Sequence, residues 1–206
     1  FDQLEPQNPF YNISAEVPIE GPLDVDRLEQ CLVALIDRHE ALRTVFHSEG
    51  GEARQIVLPS FAWRLQRIDV TRLPEAKRLA ECERLAIAEA ERPFDLASGP
   101  LFRATLVDLG RDRHRLLLVV HHIVCDGWSM NVMRRELAAL YAAAEFPSAG
   151  ASGKLPLPAL SIQFADYAAW QRRRLAGDVL EKQLVYWRSR LGEGSPFLEL
   201  PIDRPR

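Results

Sequence analysis

The stretch 121–127, His-His-Ile-Val-Cys-Asp-Gly, places two histidines, a cysteine and an aspartate within six residues. An imidazole is the side chain whose ordinary pKa lies close to neutrality, so at a strand end it can take a proton from an amine or alcohol nucleophile and return it. Adjacent side chains on a strand point to opposite faces, so one histidine faces the core and the other an opening. By parity His122 shares a face with Leu116, Leu118 and Val120, and His121 with Leu117 and Val119; periodicity does not say which face is open. Asp126 could orient the corner or pair with a buried cation, and the Gly127 amide at a helix start could donate to a developing oxyanion. The plainer reading is one buried histidine, one solvent-facing histidine and an aspartate that caps the next helix, and for an arbitrary sequence it is the favoured one. Metal binding is weaker, because adjacent strand histidines point apart and no second ligand pair appears. A serine-hydrolase elbow fails because Gly-Trp-Ser-Met-Asn around Ser129 lacks the second glycine of the motif. Cys125 reads as a small buried hydrophobe without a nucleophilic role.

The elements that must hold this corner follow from pattern. Residues 114–124 are apolar on both faces, which predicts a central strand, joined to 101–109 by a turn over 110–113. After Asp126-Gly127 the pattern becomes helical over 129–144, with Val132, Met133, Leu137, Leu140 and Tyr141 on one face. Upstream, Asp24 is an N-cap for a helix over 25–42, whose buried face includes Leu28, Cys31, Leu32, Leu35, Ile36, His39 and Leu42. Strands are expected at 44–47, 54–58 and 63–70, with a Gly50-Gly51 turn, and a second helix between Pro74 and Pro93. The Pro-, Gly- and Ser-rich stretch 146–160 reads as a loop or linker, followed by helices over 161–175 and 179–191. The fold class is α/β, a two-layer α+β sandwich with helices packed on a mainly antiparallel or mixed sheet.

Composition narrows the functions. The chain has 206 residues, of which 47% are hydrophobic and 27% charged, as in globular proteins. With 26 Lys+Arg against 29 Asp+Glu the net charge is -3, and no basic stripe is present, which argues against nucleic acid. No apolar run approaches the roughly 20 residues of a membrane span. Three cysteines without C-x-x-C spacing argue against a disulfide framework and a structural zinc, and imply a reducing, cytosolic setting. The first residue is Phe1, with no secretory pattern after it, so this end reads as cut from something longer. His39, His47 and His114 get structural readings, and the Arg172–Arg174 run reads as a solvated helix face.

The string HHIVCDGWS resembles the HHxxxDG core motif of condensation domains of nonribosomal peptide synthetases, relatives of chloramphenicol acetyltransferase and other HxxxD acyltransferases. RHEALRTVF (38–46) is similar to that family's second core motif. FADYAAWQRRRL (164–175), Tyr186-Trp187 and LPIDRPR (200–206) resemble its fourth, and the opening FDQLEPQNPFYNI resembles the segment after its first. The resemblance covers the whole chain and implies the N-terminal lobe of a two-lobed domain, 1–206, truncated at both ends.

Several roles are implied by the resemblance. His122 would be the catalytic histidine, with Asp126 and Gly127 completing the catalytic motif, and His121 would be structural. Asp126 would hold the corner through a salt bridge to an arginine of the second motif, Arg43 first and Arg38 in reserve, and Trp128 would pack beneath the loop. The implied reaction is amide formation by attack of an acceptor aminoacyl amine on a donor acyl or peptidyl thioester. Both substrates would arrive on the 4'-phosphopantetheine arms of upstream and downstream peptidyl carrier domains, with no cofactor bound by the lobe itself. The remaining expected partners are the C-terminal lobe and an adjacent adenylation domain. The role of His122, general base or orientation of the amine, stays open. Two other readings are a freestanding acyltransferase using an acyl coenzyme A donor and a non-catalytic carrier-docking module; the intact motif argues against the second and the 200–206 tail against the first.

Overall fold

The structure is a computed structural model that describes residues 4–59, 61–143 and 156–192. The chain divides into two compact units, Phe1–Gln163 and Phe164–Arg206. The tail resembling part of the fourth motif and most of the expected 146–160 linker lie outside the described residues.

The first unit is built on a four-stranded sheet ordered β1-β6-β5-β4: β1 (Asn12–Glu20), β4 (Gln66–Asp69), β5 (Phe102–Gly110) and β6 (Arg113–His121). β6 pairs antiparallel with both β1 and β5, and β4 joins β5 in parallel, so the sheet is mixed. The β5–β6 turn is the two-residue loop Arg111-Asp112, both at positive φ, the twist that right-handed strands need at a tight hairpin. Strands β2 (Thr44–Glu49) and β3 (Glu52–Val57) form a separate hairpin through Gly50 and Gly51.

Helices cover both faces. Leu116, Leu118 and Val120 of β6, with Phe102, Ala104 and Leu106 of β5, pack against Leu28, Leu32, Leu35 and Ile36 of α1 (Val25–Arg38) and Met133, Leu137 and Leu140 of α3 (Gly127–Ala142). On the reverse face Leu117 and Val107 meet Cys82 and Leu85 of α2 (Glu75–Glu91). The expected helix-on-sheet sandwich is present, with α2 as a further layer, and β6 is central because both its faces are buried. α1 starts under its Asp24 cap, which accepts the Arg27 N–H at 3.0 Å.

Three differences from the sequence expectations have local causes. Strand β1 is absent from the sequence reading, although Ile13, Ala15, Val17 and Ile19 alternate along it, because Pro18 interrupts a strand pattern. α1 stops at Arg38 rather than near 42, and a 3-10 turn follows over Glu40–Arg43. Gln163 stands in for the lost helical bonds: its Nε2 donates to the Arg38 carbonyl and its Oε1 accepts the Glu40 N–H. Finally, only Gln66–Asp69 of the expected 63–70 strand pairs, while Trp63 turns into the core, stacks on Phe102 at 5.6 Å and donates its indole N–H to the Phe102 carbonyl.

The second unit holds α4 (Phe164–Arg174) and α5 (Asp178–Leu191). Phe164, Tyr167 and Trp170 form a ring ladder along α4 with centroids 5.9 and 5.7 Å apart. Arg172, Arg173 and Arg174 are exposed, as a solvated helix face requires. No described helix is long and apolar enough to cross a membrane.

Because Leu32 is fully buried between α1 and the sheet, Leu32→Ala is expected to destabilise the fold by about 2–5 kcal/mol. Urea unfolding of the two proteins measures it, and an unchanged midpoint would contradict this placement of the core.

Candidate functional site

β6 ends at His121 and the chain turns into α3 six residues later. The burial of the two histidines resolves what periodicity left open. His121 continues the Leu117–Val119 face and is 8% exposed, while His122, the first residue past the strand, is exposed.

The backbone around His122 is held on consecutive residues. The His121 N–H donates to Leu101 O at 3.0 Å, and the His122 N–H donates to Tyr11 O at 2.8 Å. The next amide, Ile123 N–H, donates to Nδ1 of His121 at 3.1 Å, and Val124 N–H returns to the His121 carbonyl. His121 therefore carries no proton on Nδ1, since that nitrogen is an acceptor. Its ring lies between Tyr11, 6.3 Å away and tilted, and Phe94, 6.2 Å away and perpendicular. The His121 imidazole thus ties down the peptide that follows His122.

Asp126 is the N-cap of α3. Its Oδ1 accepts the Ser129 N–H at 2.8 Å and the Ser129 hydroxyl at 2.7 Å. Those bonds to Ser129, with a smaller contribution from nearby His122, hold its carboxyl below the usual carboxylate range. The expected Asp126–Arg43 salt bridge is not formed. Arg43 donates to the Leu58 carbonyl and to Glu40, and Arg38, the reserve, donates to Glu136 and to the Pro158 carbonyl. The carboxylate is exposed, so it needs no buried cation, and the capping geometry satisfies it locally. Both arginines instead anchor the segment between α1 and β2.

Trp128 also departs from expectation: it is 77% exposed rather than packed beneath the loop. It stands five residues before Met133, about 140° around the helix from the buried Met133–Leu137–Leu140 face. Gly127 is not required by the turn, since its φ lies outside the left-handed region and a Cβ there would meet nothing within 4 Å. The space beside it is open, and as the first residue of α3 its N–H has no partner within the helix. Cys125 is buried, and burial pushes its thiol up to about 11, which suits a packing residue and not a nucleophile. Among the described residues no cluster of three metal-ligating side chains exists.

Two contributors escaped the sequence reading. Tyr11 supplies the carbonyl that receives the His122 N–H. Arg103, on β5, places its guanidinium 3.7 Å over the Phe94 ring and donates to the carbonyls of Glu89, Arg92 and Pro93. Burial, helped by nearby Arg92, lowers its pKa to about 10, which leaves it charged at neutral pH. An arginine as the one charged residue inside the stretch 101–107 was the available signal.

A family model described as Condensation domain matches residues 1–206. The chain is 45% identical over 205 residues to phosphinothricin tripeptide synthetase PhsC of Streptomyces viridochromogenes, an overlap of 100% of this chain and 18% of that protein. It is 39% identical over 204 residues to chondramide synthase cmdD of Chondromyces crocatus, covering 99% of this chain and 5% of that one. Among solved structures it resembles SgcC5 protein from Streptomyces globisporus with a TM-score of 0.75 and 31% identity, over 98% of this chain and 44% of that chain. The X-domain from teicoplanin biosynthesis gives 0.78 and 31%, over 98% and 43%. The chain thus spans a small part of these curated relatives and under half of these solved chains.

The capping geometry makes a pH prediction. A folded pKa held below the ordinary carboxylate value of about 3.9 means the Asp126 cap is fully present above that value and is lost as pH falls through the depressed one. Hydrogen-exchange protection at Ser129 should fall on acidification in the parent and not in Asp126→Asn, whose amide can still cap. Equal acid sensitivity in both would remove the cap from the account.

Proposed function

The chain belongs to the condensation-domain family, and on that premise we propose that it is the N-terminal lobe of a nonribosomal peptide synthetase condensation domain that forms amide bonds. The observation that carries the reading is His122: an exposed imidazole at the exit of the central strand, with its backbone held from both sides and the Asp126–Gly127 corner beside it.

In the proposed reaction the amine of an acceptor aminoacyl group attacks the thioester carbonyl of a donor acyl or peptidyl group. The C–N bond forms, the C–S bond breaks, and the leaving thiolate of the donor's phosphopantetheine arm takes up a proton. His122 receives the hydrogen bond of the attacking amine and the proton that the amine gives up. The Gly127 N–H, at the positive end of α3 beside open space, is the donor available to the tetrahedral oxyanion. Asp126 keeps the first turn of α3 in place. Trp128 and Ile123, both exposed on this corner, and Phe10, next to Tyr11, offer an apolar border that water does not solvate well.

Two tethered substrates brought together gain a large effective molarity, so much of the rate comes from approach rather than from acid–base power. The reading requires donor and acceptor carrier domains, a C-terminal lobe that completes the cleft, and an adenylation domain that loads the acceptor carrier. A reducing, cytosolic setting is in keeping with three free, buried cysteines.

With the full-length domain and two loaded carrier proteins, His122→Ala should lower amide formation by about 10²–10⁴-fold at unchanged folding. Turnover of that variant at the parent rate would overturn the assignment.

A further inference from the structure

Resting on that reading of His122, we propose that Arg103 is a positioning residue for it, acting through Phe94 and His121. The relay is built from four contacts. The Arg103 guanidinium, on a largely buried side chain, gathers the carbonyls of Glu89, Arg92 and Pro93 at the C-terminal end of α2. Asn12 of β1 reinforces the same end, its Nδ2 donating to the carbonyls of Ala90 at 2.7 Å and Arg92 at 2.9 Å. The chain leaving α2 then lays Phe94 directly under the guanidinium, 3.7 Å from it. Phe94 in turn presents its ring perpendicular to the His121 imidazole, with centroids 6.2 Å apart.

The last contact reaches the site. His121 accepts the Ile123 N–H, so the orientation of its ring sets the peptide that follows His122. A guanidinium suits the first position because a planar fork can bond several carbonyls while its face rests on an aromatic ring. A lysine offers a single point of charge and cannot do both. Arg103 touches no substrate in this scheme; it fixes the direction in which His122 leaves the sheet, and small errors in that direction lower the rate of a reaction that depends on approach.

The test uses the full-length condensation domain with donor and acceptor carrier proteins loaded, comparing Arg103→Met, Arg103→Lys, Phe94→Leu and His122→Ala with the parent. Arg103→Met and Phe94→Leu should each lower kcat by about 10- to 100-fold with KM for the carrier substrates unchanged, and Arg103→Lys should recover part of the loss. The imidazole nitrogen NMR signals of His121 should shift in both variants, which a loss of global stability alone would not produce. Parent-like kcat in both, or unmoved His121 signals, overturns the proposal. Phe94→Leu leaves every Arg103 hydrogen bond in place, so it decides the matter if Arg103→Met does not fold. Parent-like turnover in His122→Ala removes the site assignment itself, whereas loss there with full activity in the Arg103 and Phe94 variants removes this inference alone.

Discussion

The N–H of His122 goes to the Tyr11 carbonyl, and the N–H after it goes to the ring of His121, so the last bond of the sheet and a side-chain bond meet on neighbouring residues. This pair of bonds converts a strand end, where chains usually fray, into a fixed exit. The strand behind it is buried on both faces and flanked by two antiparallel neighbours, so its register cannot slip by one residue without turning Leu116, Leu118 and Val120 out of the α1–α3 core. Such a slip would also exchange the two histidines. The hydrophobic pattern of β6 and the identity of the exposed imidazole are therefore the same specification.

Much of this was legible in the residues. The apolar run 116–120 marked a central strand, and the change of period after Gly127 marked the helix that closes the corner. Parity left either histidine free to be the covered one, and the packing of Tyr11 and Phe94 around His121 settles which it is. What stayed hidden had physical reasons. Pro18 masked an alternating strand that ladder pairing tolerates at a sheet border, and the helical period of α1 ran on past Arg38 because Leu42 falls on the same stripe. The Asp126 pairing with an arginine rests on the family resemblance alone, whereas the plainer reading of a helix-capping aspartate matches the geometry, with Ser129 supplying both donors. Trp128, placed beneath the loop by the resemblance, stands outside because a large ring is not drawn inward when the helix turns it away from the core.

The segment resembling the second core motif has a visible task of its own. Arg38 and His39 both meet Glu136 of α3, at 3.1 and 2.7 Å, and Arg38 also reaches the Pro158 carbonyl. Removing either partner would leave a largely buried carboxylate partly unmatched, which costs more than an exposed pair would contribute. These two side chains fasten α3 along its length while Asp126 fastens its beginning, so the helix behind the exit is secured at two separate places.

Among the described residues the sheet has two open borders, β1 and β4, and both are defended. β1 shows Ser14, Glu16, Pro18 and Glu20 to solvent, with a proline that has no N–H to offer, and β4 is four residues long and bears Arg67 and Asp69. Short, charged or proline-bearing margins discourage foreign strands from adding on. A sheet that refuses such additions can sit at high local density beside copies of the same architecture without knitting to them, which keeps crowding from becoming aggregation.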